Sequence, residues 1–461
     1  MLFNSLGFLY IFLPLAYFVF WGLKTKRSRY VWLTLTGYIF YSFWNYKFCA
    51  LMALSTLVSY FAGLGLLRWQ DQRARRACLV APVVFDLLLL SVFKYANFAL
   101  GTLHAVATAA RVPVNVPAFD IVLPVGISFY TFHTITYIVD SYRRTITPTR
   151  NFFEFSCYVS LFSQLVAGPI VRFRQIEADL EHIDRPDARE LLERGWSFFA
   201  LGMAKKVILA DTLAAVINPA LANWTALSSG GAWLCMLGYT YQLYFDFSGY
   251  SDMAVGLGMM FGLRLPQNFN TPYKALDIAD FWRRWHISLS SVLRDYLYIS
   301  LGGNRGGERK TYRNLMITML LGGLWHGASW TFVVWGGYHG LLLSLNRLYA
   351  ARIGRWNSQL RMAGTFLLVV VGWVLFRAES FAMALGLLGK MFYFTPGASP
   401  AGWLLLPALL VAAPLAHFGP NTFEMKHAWG LPMRIALALL FALCVAVMYG
   451  GNQTPFLYYQ F

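Results

Sequence analysis

The chain has 461 residues, of which 58% are hydrophobic, 17% aromatic and only 13% charged. Soluble domains usually carry about 25% charged residues, so this composition excludes an ordinary soluble protein. Lysine and arginine outnumber acidic residues by 38 to 21, for a formal charge of +17. The basic residues gather in short loops between apolar runs, which argues for membrane topology and contact with anionic lipids and against a nucleic-acid partner.

Apolar runs long enough to cross a hydrocarbon layer of about 30 Å recur from one end of the chain to the other. We therefore predict an all-α integral membrane protein with about ten to twelve transmembrane helices. Because linkers rich in proline, glycine and serine are lacking, we expect a single membrane domain over residues 1–461. Clear examples of the apolar runs are residues 2–23, 30–44, 51–67 and 433–449.

The loops between the first apolar runs differ in charge. Basic residues cluster after the first run and again after the third, whereas the turn between the second and third runs carries only Lys47. By the positive-inside rule this alternation places the N-terminus outside the cytoplasm. Since the basic residues follow the first run instead of preceding it, we expect residues 2–23 to be a retained membrane helix and not a secretory signal.

Three segments depart from the pattern of plain membrane helices. The run 152–166 is short enough to be re-entrant, and the charged, amphipathic residues 172–194 are predicted to lie along the inner membrane surface. Residues 265–313 combine prolines, asparagines, glycines and many arginines. Irregular backbone at membrane depth needs surrounding protein or water, so this segment is predicted to be re-entrant or to lie at the inner face, where a substrate site is expected.

Two acids, Asp246 and Asp252, interrupt the apolar residues 200–260. Acids at membrane depth need a partner or a cavity. One interpretation is an internal ion pair or helix cap that holds the helices together. The other interpretation is that these acids line a substrate site.

His326 lies in a long apolar region, residues 314–348. If a helix begins near Asn314, at about 1.5 Å per residue the histidine lies about 18 Å along it, near the middle of the membrane. A buried neutral imidazole there can act as a general base, although a structural role is the alternative. The same helix, continued, would place His339 near the opposite interface and about 220° around, so we interpret His339, like His133, as structural.

A second group of chemical interest is the cluster of Arg283, Arg284 and His286 among tryptophans. The arginines can snorkel to anionic lipid head groups. Alternatively, they receive an anionic, phosphate-bearing acyl donor from the cytoplasm through charge-assisted hydrogen bonds.

Several motifs together resemble the membrane-bound O-acyltransferases, and most closely the bacterial branch represented by alginate O-acetyltransferases. The resemblance covers nearly the whole chain. The motifs are YFDFSGYSD at 244–252, NFNTPY at 268–273, FWRRWHISLS at 281–290, LRDYLYI at 293–299, LGGNR at 301–305, LWHG at 324–327, FRAES at 376–380 and the terminal FLYYQF at 456–461.

The resemblance implies a ring of tilted helices around a central tunnel, with His326 as the catalytic residue and His286 in the same active site. It also implies an acetyl donor, acetyl-CoA, from the cytoplasm, and a separate extracytoplasmic acetyltransferase partner that modifies a polysaccharide such as alginate, cellulose or peptidoglycan. The remaining candidates for the donor site and substrate channel are Arg283, Arg284, Trp285, Trp325, Asn270, Tyr273, Asn304, Asp246, Ser248 and Asp252.

Other classes of function have less support in the sequence. Five widely spaced cysteines form no disulfide or metal pattern, and no glycine-rich phosphate loop or Gly-x-Ser-x-Gly motif occurs, so we predict no metal and no bound cofactor. Two alternatives remain open. One is D-alanyl transfer to teichoic acid, and the other is a transporter or flippase of lipid-linked sugars in which Asp246, Asp252 and His326 form a proton relay.

Overall fold

A computed structural model describes residues 1–113, 117, 119, 121–184, 188–400, 405–427, 430–451 and 456–457. The described residues form α-helices with short 3₁₀ and π segments and no β-strand. Four of their helical stretches are long and apolar enough to cross a membrane, which confirms an all-α integral membrane protein. These stretches are Lys26–Arg68, Gln72–Ala109, Ser358–Arg377 and Leu431–Tyr449, and shorter apolar helices cover Phe8–Gly22, Phe381–Phe392 and Leu405–His417.

The chain divides into two compact units. The first comprises Met1–Leu192 and Leu257–Leu265, and the second comprises Glu193–Gly256 and Pro266–Phe461. The single membrane domain expected over residues 1–461, its ring of helices and its tunnel stay predictions. Of the terminal motif, residues 458–461 lie outside the described part of the chain.

The first unit is a bundle of helices held together by close packing and by buried polar contacts. A buried carboxylate connects three of them, because Ser55 and Thr134 each donate a hydrogen bond of 2.6 Å to Asp86. The helices are α1 (Leu13–Gly22), α2 (Lys26–Asn45), α3 (Cys49–Arg68), α4 (Gln72–Leu90), α5 (Ala96–Ala109), α6 (Ile127–Tyr142), α7 (Phe152–Ser160) and α8 (Phe173–Glu181).

Helix α7 is only nine residues long. At about 1.5 Å per residue it is far too short to cross a membrane, as the short apolar run 152–166 predicts. The chain continues without helix through residues 161–171, all of them buried. The amphipathic stretch 172–194 forms α8 and the first turns of the next helix, and residues 185–187 lie outside the described part of the chain.

The second unit contains the segments that carry the candidate active site. Its helices α9 and α11 extend at one end into the residues of the first unit. The helices are α9 (Ala188–Ala204), α10 (Asp211–Ala222), α11 (Ser229–Met260), α12 (Ile278–Arg284), α13 (Ile287–Val292), α14 (Glu308–His326), α15 (Trp330–Ile353), α16 (Ser358–Arg377), α17 (Phe381–Phe392), α18 (Leu405–His417) and α19 (Leu431–Tyr449).

Helices α14 and α15 form a tight hairpin. The prediction of one continuous helix from Asn314 past His339 is wrong. Helix α14 ends at His326, and Ser329 caps α15 by accepting a hydrogen bond from the Thr331 N–H. A side chain at Gly323 would collide with the Phe332 carbonyl oxygen. The glycine therefore allows the two backbones to pack in direct contact, and the chain reverses direction just after His326.

Residues 265–313 do not form one spanning helix, as predicted. The segment consists of extended chain, a 3₁₀ turn at Pro272–Lys274, the short helices α12 and α13, a π segment at Leu293–Tyr298, a stretch of turns and the first residues of α14. Thr271 and His286 adopt left-handed backbone conformations, with φ of 42° and 45°. These two reversals fold the segment back on itself, and His286 lies at the second of them.

Candidate active site

His326 is the last residue of α14, at the tip of the hairpin. Its side chain is buried, with 4% of the residue exposed. The imidazole is enclosed by aromatic rings, with centroid distances of 5.1 Å to Trp325, 5.1 Å to Trp335 and 5.5 Å to Phe376. The end of the helix thus holds an imidazole in a largely apolar enclosure.

His286 lies between α12 and α13 and is fully buried. Its Nδ1 lies 3.1 Å from the side-chain oxygen of Asn268. That oxygen also accepts hydrogen bonds from the backbone N–H and the hydroxyl of Ser288, at 3.2 and 2.9 Å. The ring packs edge-on against Phe247 of α11, with centroids 4.7 Å apart. One face of the site is therefore built by this turn and by α11.

The structure brings the two histidines together. The ring centroids of His286 and His326 lie 6.2 Å apart, and Trp325 contacts both rings. The residues are 40 positions apart in the sequence and belong to different backbone reversals. Two buried imidazoles at this separation can exchange protons with one substrate placed between or beside them, which is the arrangement that general acid–base catalysis requires.

The predicted acids lie in buried ion pairs on α11. Asp246 is 2.6 Å from the Lys206 ammonium group, which also contacts Asp211 at 2.7 Å. Asp252 is 2.6 Å from Lys205 and accepts a hydrogen bond of 2.6 Å from a threonine hydroxyl. These contacts match the ion-pair interpretation of the two acids. Ser248 is buried on the same helix, and its neighbour Phe247 contacts the ring of His286.

The predicted arginines share one carboxylate. Arg284 lies 3.0 Å and Arg283 lies 3.6 Å from Asp280, and 68% of the Arg283 side chain is exposed. The backbone N–H of Asn270 donates to the Arg284 carbonyl at 2.9 Å, which closes the turn that presents His286.

Two predicted aromatic residues form the packing behind this turn. Trp285 packs 4.9 Å from Trp373 of α16, measured between ring centroids. Tyr273 is buried and donates a hydrogen bond of 2.8 Å to the Thr240 carbonyl. Both side chains therefore support the segment that carries His286.

A cavity of about 330 Å³ opens beside the hairpin. Two arginines, Arg294 and Arg347, contribute to its lining, and so does the predicted site residue Asn304. Trp282 also lines the cavity and donates a hydrogen bond of 3.3 Å from its indole N–H to His339 Nδ1. The other lining residues are Ala279, Ser290, Leu293, Tyr298, Leu315, Thr318, Met319, Leu343 and Asn346.

Aromatic rings connect the cavity wall to His326. Trp335 lies 5.8 Å from Trp282, 5.1 Å from His326 and 4.9 Å from His339, measured between ring centroids. His339 therefore lies near the site, with Trp335 in contact with both His339 and His326. In a continuous helix His339 would lie far from His326, but the hairpin brings it back.

Comparison with known proteins identifies the family. A family model for membrane-bound O-acyltransferases matches residues 140–385, more than half of the chain. The chain belongs to the membrane-bound O-acyltransferase family. It is 42% identical to a probable alginate O-acetylase of Azotobacter vinelandii over the whole of both chains. A Helicobacter pylori peptidoglycan O-acetyltransferase is 37% identical over 85% of this chain and 80% of its own length.

A more distant relative is the Streptococcus thermophilus teichoic acid D-alanyltransferase, which is 31% identical over 52% of this chain and 60% of its own length. The family match covers α12 to α16 and with them both histidines and the cavity. This membrane-bound O-acyltransferase is thus a multi-pass membrane enzyme that transfers acyl groups.

Three side chains of the candidate site are not among the residues predicted from the sequence. Asn268 lies in the motif NFNTPY beside the predicted residues Asn270 and Tyr273. Trp282 lies in the motif FWRRWHISLS beside the predicted Arg283 and Arg284. Trp335 carried no signal in the sequence, since it lies in an apolar run and its contact with His326 depends on the hairpin.

Proposed function

We propose that this enzyme transfers an acetyl group from a cytoplasmic thioester donor, acetyl-CoA, for the O-acetylation of a polysaccharide outside the cytoplasmic membrane. The likeness over the full length of a probable alginate O-acetylase supports acetyl transfer, as does the peptidoglycan O-acetyltransferase. The likeness to the D-alanyltransferase covers about half of the chain. The structural observation that carries the proposal is the pair of buried imidazoles 6.2 Å apart.

In the proposed reaction the imidazole of His326 accepts the proton of an acceptor hydroxyl. The hydroxyl oxygen attacks the thioester carbonyl, the carbon–sulfur bond breaks, and the departing thiolate takes the proton back from the imidazolium. The products are an acetate ester and a free thiol. His286, beside His326, is proposed to accept a hydrogen bond from the acceptor hydroxyl and so to hold it in position for attack.

The cavity beside the hairpin is the proposed donor site. Coenzyme A carries several phosphate charges, which Arg294 and Arg347 can bind through charge-assisted hydrogen bonds. Arg283 and Arg284 follow the cavity-lining Trp282 in α12, so they are proposed to attract the donor to its entrance. Asn304, another lining residue, supplies a polar contact at the same cavity.

The proposed orientation follows from the charge of the loops. The enzyme lies in the bacterial inner membrane with its N-terminus outside, and the basic inner loops face the cytoplasm and its anionic lipids. The donor then arrives from inside, and the acetyl group leaves towards a separate extracytoplasmic acetyltransferase that esterifies the polymer. Alginate, cellulose and peptidoglycan are the candidate acceptors.

The first experiment replaces the histidines in a deletion strain and measures ester-linked acetate on each surface polymer. We expect His326→Ala to abolish acetylation and His286→Ala to lower it at least about tenfold, while the protein accumulates in the membrane at wild-type levels. His104, an exposed histidine of α5, supplies the matched control, and His104→Ala should acetylate normally. Wild-type acetylation in His326→Ala would refute its assignment as the base.

Purified enzyme distinguishes the two alternative functions. Incubation with labelled acetyl-CoA and a hydroxyl acceptor should yield labelled ester and free thiol. D-alanyl transfer from a carrier protein, with no reaction of acetyl-CoA, would favour the teichoic acid alternative. Movement of a lipid-linked sugar across vesicles without any thioester chemistry would favour the transporter.

The donor site has its own test. Removal of one charge-assisted hydrogen bond costs about 1.5–3 kcal/mol, so Arg347→Gln is expected to raise the KM for acetyl-CoA about tenfold or more with little change in kcat. Arg355 is exposed and does not line the cavity, so Arg355→Gln serves as the control. An unchanged KM in Arg347→Gln would place the donor elsewhere.

A further inference from the structure

We propose that Asn268 is a positioning residue that fixes the tautomer of His286, with the proton on Nδ1 and the lone pair on Nε2. The inference rests on the proposed function, in which His286 takes part in acyl transfer. It adds a residue that acts through His286 without touching the substrate.

The orientation of the Asn268 amide is determined by a backbone group. The N–H of Ser288 can only donate, and it lies 3.2 Å from one end of the amide, so that end is the oxygen. The other end, the nitrogen, then donates to the Ser251 hydroxyl oxygen on α11 at 3.1 Å. The Ser288 hydroxyl is the second donor to the amide oxygen, at 2.9 Å.

The amide orientation dictates the protonation of the imidazole. His286 Nδ1 lies 3.1 Å from the same amide oxygen, which can only accept a hydrogen bond, so Nδ1 must carry a proton. In a neutral imidazole the other nitrogen then has the lone pair. Nε2 is therefore the atom that can accept a hydrogen bond from a hydroxyl or hold a proton during the reaction.

Asn268 also holds the backbone of His286. The backbone carbonyl oxygen of Asn268 accepts a hydrogen bond of 2.9 Å from the backbone N–H of Ile287, the residue that follows the left-handed His286. Asn268 and His286 are 1% and 0% exposed, so water does not compete for these contacts. Asn268, which lies in extended chain, thus contacts both α11 and the turn that carries the imidazole of His286.

The decisive substitution is Asn268→Leu, which keeps the approximate volume and removes the acceptor. We expect kcat for acetyl transfer to fall at least about tenfold, by analogy with the hydrogen bonds that orient metal-binding histidines, which are typically worth about 10–100-fold in activity. The KM for acetyl-CoA should stay within about twofold, because Asn268 does not line the donor cavity. A kcat within twofold of wild type would overturn the proposal.

Asn268→Asp is the conservative variant and keeps an oxygen acceptor for Nδ1. It should retain kcat within about fivefold, and the acid limb of its pH–rate profile should move to higher pH because a carboxylate stabilises the imidazolium. If Asn268→Leu fails to accumulate in the membrane, this profile decides the matter. An acid limb at the wild-type pH would overturn the proposal.

Ser288→Ala is the matched control, because it removes a second donor to the same oxygen and leaves the 3.1 Å contact between Asn268 and His286 Nδ1 intact. It also removes only a long contact of 3.5 Å between the Ser288 hydroxyl and Nδ1. Its kcat should stay within about twofold of wild type. Failure of the underlying function looks different, since a fully active His286→Ala variant would remove His286 from the mechanism. An inactive His286→Ala variant together with a fully active Asn268→Leu variant would remove only the positioning role.

Discussion

Lys206 offers the sharpest test of how the second unit is stabilised. Its ammonium group lies 2.6 Å from Asp246 and 2.7 Å from Asp211, and all three side chains are at most 4% exposed. Lys206→Met removes the cation and leaves two carboxylates in the interior. Breaking one buried pair typically costs about 3–5 kcal/mol, so a loss in at least this range is expected from a total stability of about 5–15 kcal/mol.

The assay is thermal unfolding of the purified protein in detergent, followed by intrinsic fluorescence. For 461 residues, unfolding entropy of about 2.1 cal/mol/K per residue makes each kcal/mol worth about 1 °C in Tm. We therefore expect Lys206→Met to lower the Tm by about 3–5 °C or more, and further replacement of both acids by asparagine to restore part of the loss. Lys205 is the control: its side chain is 20% exposed and has one carboxylate partner among the described residues, so Lys205→Met should cost less. An unchanged Tm in Lys206→Met would refute the reasoning. Lost activity at an unchanged Tm would instead favour the proton relay of a transporter.

Two further substitutions test the packing around the site. Gly336→Ala should lower both the Tm and acetyl transfer, because the added methyl group would collide with the Met319 carbonyl oxygen and separate α14 from α15. Gly337→Ala is the control and should be neutral, since its methyl group meets a leucine methyl group at 3.4 Å. Equal effects of the two substitutions would contradict the hairpin. Tyr273→Phe removes the hydrogen bond to the Thr240 carbonyl and should cost about 1 kcal/mol in detergent unfolding, with acetyl transfer retained, and complete loss of activity would instead indicate a direct chemical role.

The residue types of the site could be predicted from the sequence, and so could the irregular character of the segment that holds one of them. A histidine is costly at membrane depth, and the arginine-rich residues 265–313 cannot form a plain span. The structure places His286 and His326 in one enclosure, 6.2 Å apart. The resemblance to a family, and not spacing, had suggested that the two belong together.

The hairpin could not be predicted from local hydrophobicity, because the three small residues 327–329 between two apolar helices barely change the local hydrophobicity. Chain length was the better signal. A continuous helix over residues 308–353 would be about 69 Å long, more than twice the hydrocarbon thickness. Once the chain reverses at Gly327, the glycines near His326 serve helix packing, and His339 returns to the site through Trp335.

The contacts of Asn268 and Lys206 could not be predicted from the sequence, for a different reason. Asn268 reaches His286 across 18 positions and Ser251 across 17, and Lys206 reaches Asp246 across 40. No helical or strand periodicity connects such positions, and an amide or a lysine in an apolar chain has many possible partners. Only the folded backbone decides which partner it meets.

The two histidines are immobilised in different ways, and this explains why the site needs both chain reversals. His326 is fixed because its helix ends against α15, whereas His286 is fixed by a left-handed backbone and by Asn268. Neither ring gains its position from the other. An imidazole that is held in place before the substrate arrives loses little conformational entropy during the reaction and needs no reorganisation of its surroundings. In the proposed mechanism, the buried aromatic rings around the pair restrict ring motion, and the polar contact at Asn268 selects which nitrogen of His286 faces the substrate.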